Sequence, residues 1–89
     1  MAVSVILFKS KDCPLCRQTE PVFKSIEEDF KGKISFETVD VLENTKASID
    51  NGVMSIPTII IFKDGVETAR FTGVTNREKI KLALERSGI

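Results

Sequence analysis

The chain has 89 residues and a mass of 9.9 kDa, which suits one domain and is too small for separate cofactor and substrate domains. Thirteen basic and 13 acidic residues cancel, so the basic excess typical of nucleic-acid-binding proteins is missing and no nucleic-acid partner is expected. Histidine is absent, which excludes Ser-His-Asp and Cys-His catalysis and histidine-ligated metals. Chemistry is therefore expected from cysteines, carboxylates, lysines or the backbone.

The N-terminal region carries no recognisable targeting segment. Its apolar run covers residues 3–8 and is too short for a membrane span or for the core of a signal peptide. No basic segment precedes this run, and Lys9 and Lys11 follow it. We therefore expect no membrane contact, a cytoplasmic location, and a single domain over residues 1–89.

The first two predicted elements are a strand and a long helix. Residues 3–8 are nearly all apolar and rich in β-branched side chains, which is typical of a buried strand. Pro14 suits the first position of a helix, Pro21 is expected to kink that helix, and Gly32 is expected to end it. Apolar and small side chains recur at three- and four-residue spacing and predict its buried face: Leu15, Thr19, Phe23, Ile26 and Phe30.

Three further strands are predicted downstream. Alternating apolar residues over 34–41 indicate the second strand, and the β-branched run 58–62 indicates the third. Asp64-Gly65 is a hairpin signal, so residues 66–71 are expected to pair back as the fourth strand.

Two shorter helices complete the pattern. Asn44 is expected to cap a helix that ends at Asn51-Gly52, and Thr75 with Glu78 forms a predicted capping box for the last helix. The order β-α-β-α-β-β-α predicts an α/β fold with a four-stranded mixed sheet and three helices. Its first β-α-β unit is expected to be a right-handed parallel crossover.

The two cysteines of the chain, Cys13 and Cys16, stand three positions apart at the junction of the first strand and helix. A disulfide that closes so short a loop stabilises a fold by only roughly 2 kcal/mol, so this bond would contribute little to the stability of the chain. The spacing therefore favours a dithiol kept for its reactivity. Free N–H groups and the positive end of the helix favour the Cys13 thiolate, so we expect the pKa of Cys13 to lie below the free value of about 8.5.

Distinct roles follow from these positions. We expect Cys13 to attack a target disulfide and form a mixed disulfide, and Cys16, facing the interior one turn on, to attack Cys13 and release the target. A lone CxxC also fits half of a metal site or two incidental buried thiols. Two thiolates without histidine cannot complete a four-ligand zinc site within one chain.

Several separate motifs resemble the thioredoxin family along nearly the whole chain. Residues 13–16 read CPLC, a C-P-x-C variant of the family's active site, and Pro21 matches its helix-kinking proline. Residues 55–58 read SIPT and resemble the family's Ile-Pro-Thr, while residues 62–65 read FKDG and resemble its F-K-x-G hairpin. Gly73 falls at the glycine of the family's substrate groove.

This resemblance implies a thioredoxin-like fold without the extra N-terminal strand and helix of full thioredoxins. It also implies that the Ile56–Pro57 peptide bond is cis and that Pro57 packs beside the cysteines. The site would then be shaped by Pro14, Ile56, Pro57 and Gly73, with the Ile56 backbone pairing with an extended target segment and Gly73 permitting its close approach.

Three positions depart from the family pattern. Asp12 stands where thioredoxins carry a tryptophan, and its carboxylate opposes formation of the Cys13 thiolate, which Lys9 and Lys11 partly screen. Leu7 stands where thioredoxins bury an aspartate that serves the second thiol, and Thr38 replaces that aspartate's lysine partner. The group that takes the proton of Cys16 is therefore left unidentified.

The sequence predicts a thiol–disulfide oxidoreductase that reduces protein disulfides. We expect a monomer without bound metal or cofactor, and the resemblance implies that a thioredoxin reductase, a flavoprotein, recharges it. One alternative is a glutaredoxin-like enzyme recharged by glutathione, which the short fold favours but the SIPT segment and residues 73–76, reading GVTN, do not. Another is a non-catalytic module that docks partners or binds a soft metal through its two thiolates.

Overall fold

The computed structural model describes residues 2–89. Its elements are β1 (Val3–Lys9), α1 (Pro14–Asp29), β2 (Ser35–Asp40), α2 (Thr45–Asp50), β3 (Thr58–Lys63), β4 (Val66–Thr72) and α3 (Arg77–Arg86). The strands form one sheet in the order β2-β1-β3-β4. β1 runs parallel to β2 and antiparallel to β3, and β4 runs antiparallel to β3. The predicted four-stranded mixed sheet with three helices is confirmed.

Alternation along the strands divides the core into two layers. Val5 and Leu7 of β1 belong to the cluster on one face of the sheet, which includes Phe23 of α1 and Leu84 of α3. Phe8, the next residue of β1, belongs to the cluster on the other face, which α2 joins. Successive side chains of a strand point to opposite faces, so both faces of β1 are buried and the strand is apolar on both.

The hairpin between β3 and β4 is built on Asp64 and Gly65. Their φ angles are 52° and 82°, both in the left-handed region that a two-residue type I′ turn requires. The backbone of Ala2 adds to the turn, because its N–H donates to the Asp64 side chain at 2.9 Å and its carbonyl accepts from Asp64 N–H at 2.7 Å. The predicted turn is confirmed.

The start of α3 differs from the prediction. The residue that caps this helix is Asn76, whose side-chain oxygen accepts from the N–H of Lys79 at 3.0 Å. The Thr75 hydroxyl oxygen is buried and has no hydrogen-bond partner among residues 2–89. The predicted capping box of Thr75 and Glu78 is wrong because helical geometry begins one residue later, at Arg77. The predicted cap of α2 is confirmed, since the Asn44 side chain accepts from Ala47 N–H at 3.2 Å.

The long helix α1 runs through Pro21 and ends three residues before Gly32, with Phe30 as its C-cap. Four of its residues are buried: Cys16, Thr19, Phe23 and Ile26. Leu15, predicted on this face, is 48% exposed. That prediction is wrong because the buried stripe passes through Cys16, so Leu15 projects from the side of the first turn.

None of the helices within residues 2–89 has the length and apolar character needed to cross a membrane.

Candidate active site

Three chain segments meet at one end of the sheet. Phe8 of β1 pairs with Thr58 of β3, and Thr58 pairs with Thr72 of β4. The loop that follows β1, the segment that precedes β3 and the turn that follows β4 therefore leave the same end of three adjacent strands. The sequence-predicted residues Cys13, Pro57 and Gly73 lie in these three segments, so strand pairing places their segments at a common edge.

Cys13 occupies the N-cap of α1. Its backbone is extended, with φ −133° and ψ 99°, and its Sγ accepts a hydrogen bond from the N–H of Cys16 at 3.1 Å. Its carbonyl accepts from Arg17 N–H at 3.1 Å, and Pro14 follows at the first helical position, where a missing N–H costs no hydrogen bond. The sulfur therefore lies at the positive end of α1, where N–H groups favour an anionic thiolate.

Cys13 and Cys16 are joined by a disulfide, with their Cα atoms 5.1 Å apart. Cys13 retains 8% of its surface and Cys16 none, so Cys13 is the outer sulfur and Cys16 faces the interior, as predicted. Of the two sulfur-bearing residues, Cys13 is therefore the one that solvent reaches.

The segment before β3 contains a cis peptide bond between Ile56 and Pro57. Pro57 is buried, and its carbonyl accepts from the N–H of Gly73 at 2.8 Å, which joins the segment before β3 directly to the turn after β4. Gly73 has a φ of +85°, a conformation that L side chains rarely adopt. Ile56 is half-buried. Within residues 2–89, neither its N–H nor its carbonyl makes a hydrogen bond to another backbone group.

Leu7 stands where the family resemblance places a buried aspartate, and this position is apolar here. Leu7 is 1% exposed and lies in the core, and its cross-strand partner Thr38 is exposed. A charged pair lies at the end of the same strand: Lys9 Nζ contacts Glu20 Oε1 at 2.7 Å, with side chains 23% and 36% exposed. Sequence reasoning treated Lys9 only as a screen for Asp12 and overlooked Glu20.

The spacing of residues in the sequence indicates on which face of its element each member of this pair lies. Lys9 is two residues after Leu7 on one strand and therefore shares its face. Glu20 is four residues after Cys16 on one helix and therefore shares its side. No local pattern shows that the two side chains meet across the layer.

Known proteins resemble this chain in sequence. A family model described as Thioredoxin matches residues 2–86. The chain belongs to the thioredoxin family. A thioredoxin of Staphylococcus aureus is 32% identical over 84 residues, which cover 94% of this chain and 81% of that protein.

Solved structures of other proteins share the fold of this chain. The X-ray structure of a thioredoxin from Fasciola hepatica has a TM-score of 0.86 and 29% identity, and the match covers 97% of this chain and 81% of the other. A malarial protein gives a TM-score of 0.91 over both whole chains at 21% identity, which is a likeness of fold. Thioredoxins are thiol–disulfide oxidoreductases, and this chain, with its Cys13–Cys16 disulfide, is a member of that enzyme class.

Proposed function

We propose that the protein reduces disulfides of other proteins through a mixed disulfide, with Cys13 as the nucleophile and Cys16 as the resolving thiol. In the reduced enzyme the Cys13 thiolate attacks one sulfur of the target disulfide and the other target sulfur leaves as a thiolate. Cys16 then attacks Cys13, which frees the second target sulfur and leaves the enzyme disulfide.

The observation that carries this proposal is the unequal setting of the two sulfurs. Cys13 Sγ lies at the N-cap of α1 and accepts the Cys16 N–H at 3.1 Å, while Cys16 is fully buried. The first arrangement stabilises an attacking thiolate, and the second keeps Cys16 from competing for the target.

The surface beside Cys13, bounded by Ile56 and Gly73, is proposed as the groove that holds an extended target segment. The uncommitted backbone of Ile56 can pair with such a segment as an added strand, and Gly73 presents no side chain to it. Leu15 and Val74 are 48% and 50% exposed and offer apolar contacts near this groove. Pro14 and Pro57 shape the site by starting α1 and by holding Gly73.

Membership of the thioredoxin family supports a proposal for the partners. Disulfide-containing proteins are the targets, and a flavoprotein thioredoxin reductase restores the dithiol. We further propose that residues 1–89 act as one domain and as a monomer, and that the reaction takes place in the cytoplasm, whose redox poise keeps such thiols reduced.

Reduction of insulin by dithiothreitol, followed by turbidity, tests the cysteine roles. We expect the wild-type protein to accelerate the reaction and Cys13→Ser to abolish the acceleration. Cys16→Ser should accumulate a mixed disulfide between Cys13 and insulin, visible by mass spectrometry. Far-UV circular dichroism of both variants controls for folding. Full activity of folded Cys13→Ser would overturn the role of Cys13 as nucleophile, and no acceleration by the folded wild-type protein would favour a binding module.

The recharging partner is tested on the same protein. We expect a thioredoxin reductase with NADPH to restore the dithiol faster than glutathione with glutathione reductase. The reverse order would overturn the proposed partner and favour the glutaredoxin-like alternative.

A further inference from the structure

The Lys9–Glu20 ion pair joins the end of β1 to α1, the helix that carries Cys16. Lys9 is the last residue of β1 and follows Leu7 by two, so its side chain is on the face of the sheet that α1 covers. Its Nζ contacts Glu20 Oε1 at 2.7 Å, and its side chain is only 23% exposed.

Helix geometry places the Glu20 end of this pair near Cys16. The two residues are four apart on α1, so they lie on the same side of the helix in successive turns. Helical side chains lean toward the N-terminus, so the Glu20 carboxylate leans back toward the turn that holds the cysteines. The Lys9 ammonium that it binds therefore lies on the side of α1 that carries Cys16.

The other charged side chains near the cysteines are either bound to backbone N–H groups or exposed to water. Asp40 is the cross-strand partner of Lys9, but its carboxylate accepts from the N–H groups of Leu42 and Glu43 at 2.9 and 3.3 Å. Lys11 is 78% exposed and lies 3.8 Å from Glu43.

Asp12 and Arg17, the charged neighbours of the CPLC segment, are exposed to water. Among the cations near the active site, Lys9 is therefore the one most withdrawn from solvent, where a charge acts most strongly.

We propose that Lys9 is the cation that stabilises the thiolate of Cys16 during release of the target, and that Glu20 positions the Lys9 ammonium and offsets part of its charge. This inference rests on the proposed function. The ion pair at the end of β1 thereby stabilises the buried Cys16 thiolate, which the apolar side chain of Leu7 cannot do.

The release step then proceeds as follows. In the mixed disulfide Cys16 loses its proton to water, and its thiolate forms beside the Lys9 ammonium. Cys16 Sγ bonds to Cys13 Sγ, the bond between Cys13 and the target sulfur breaks, and the target leaves as a thiolate that takes a proton from water. The dithiol has lost two electrons and the target disulfide has gained two.

Reaction of the reduced protein with Ellman's reagent isolates this step, because attack by Cys13 frees one thionitrobenzoate and attack by Cys16 frees the second. We expect Lys9→Met to raise the pKa seen in the pH profile of the second release by about one unit and to slow that release about tenfold at pH 7. Lys9→Arg should restore the rate. The matched control is Lys11→Met, which removes an exposed charge two residues away and should leave the second release unchanged.

Glu20→Gln distinguishes a charge effect from a structural one. The amide oxygen still accepts from Lys9 while the negative charge is gone, so we expect the pKa of Cys16 to fall and the second release to be as fast or faster. Slowing by both Lys9→Met and Glu20→Gln, or a Lys9→Met rate equal to that of Lys11→Met, would overturn the inference. Failure of the wild-type protein to release the second thionitrobenzoate would instead overturn the proposed function.

Discussion

Arg70 joins β4 to the turn that follows α2. Its guanidinium donates to the carbonyls of Asn51 at 2.6 Å and Gly52 at 3.2 Å, and to the Glu67 carboxylate at 2.8 and 2.9 Å. A planar guanidinium can serve these acceptors together because its donors are fixed in a fork. The hydrogen bond from Arg70 lowers the pKa of Glu67 below its ordinary value of 4.5, although burial opposes the shift slightly.

This shift predicts a pH dependence of stability. The carboxylate has a lower pKa in the folded than in the unfolded protein, so its contribution is complete above the unfolded pKa and is lost as the pH falls through the folded pKa. We expect wild type to exceed Glu67→Gln in free energy of unfolding by less than about 1 kcal/mol, since the pair is partly exposed. The difference should be constant from about pH 7 to 5 and shrink below about pH 4.5.

Urea denaturation at a series of pH values measures this difference. Glu37→Gln is the matched control, because Glu37 is exposed on β2 and makes no ion pair within residues 2–89. A wild-type advantage over Glu67→Gln that stays constant to pH 3 would contradict the assignment.

At the scale of elements, α3 shows how a helix start is chosen between adjacent polar residues. Asn76 has the extended backbone of an N-cap, with φ −122° and ψ 163°, and its side chain accepts from Lys79 N–H. Thr75 lies one residue outside, and its buried hydroxyl oxygen finds no partner in the described part of the chain, residues 2–89. An N-cap side chain satisfies a free N–H of the first turn, while a buried hydroxyl without a partner is unfavourable.

The two residues should therefore respond oppositely to substitution. We expect Asn76→Ala to lower the free energy of unfolding by about 1 kcal/mol through loss of the cap. Thr75→Val keeps the shape and removes the unpaired hydroxyl, so it should be neutral or slightly stabilising. Chemical denaturation followed by far-UV circular dichroism compares them. A larger loss for Thr75→Val than for Asn76→Ala would restore the capping box expected from sequence.

At the scale of the whole molecule, sheet topology decides what the CPLC segment can do. The pairing of β1, β3 and β4 brings the cysteine loop, the cis Ile56–Pro57 segment and Gly73 to one edge. The start of α1 favours the thiolate of Cys13, while the exposed carboxylate of Asp12 acts against it.

With these opposing effects in a thioredoxin-family fold, we expect the Cys13–Cys16 pair to have a reduction potential of about −270 mV, in the range of thioredoxin. Tryptophan is absent, so the thiols are counted by mass after equilibration in graded redox buffers and trapping with an alkylating tag. A value of about −200 mV or higher would count against a disulfide reductase and favour coupling to glutathione.

Local sequence patterns were sufficient for most of the fold. The strands, the Asp64-Gly65 turn and the cap at Asn44 follow from alternation, turn propensity and side-chain to backbone bonds between near neighbours. Boundaries were less exact: Leu15 lies off the buried face of α1, and the cap of α3 is Asn76 rather than Thr75. Both errors are shifts of one position, where neighbouring residues have similar propensities and packing decides between them.

The amino-acid pattern was enough to predict the dithiol, its place at a helix N-terminus and, through family motifs, the segments that contain Pro57 and Gly73. Tertiary structure alone showed that Lys9 meets Glu20 and that Arg70 reaches Asn51 and Gly52. These contacts join residues 11 to 19 positions apart on different elements. Such pairs have no periodicity or local motif, because they arise only when strand pairing and helix packing bring distant elements together.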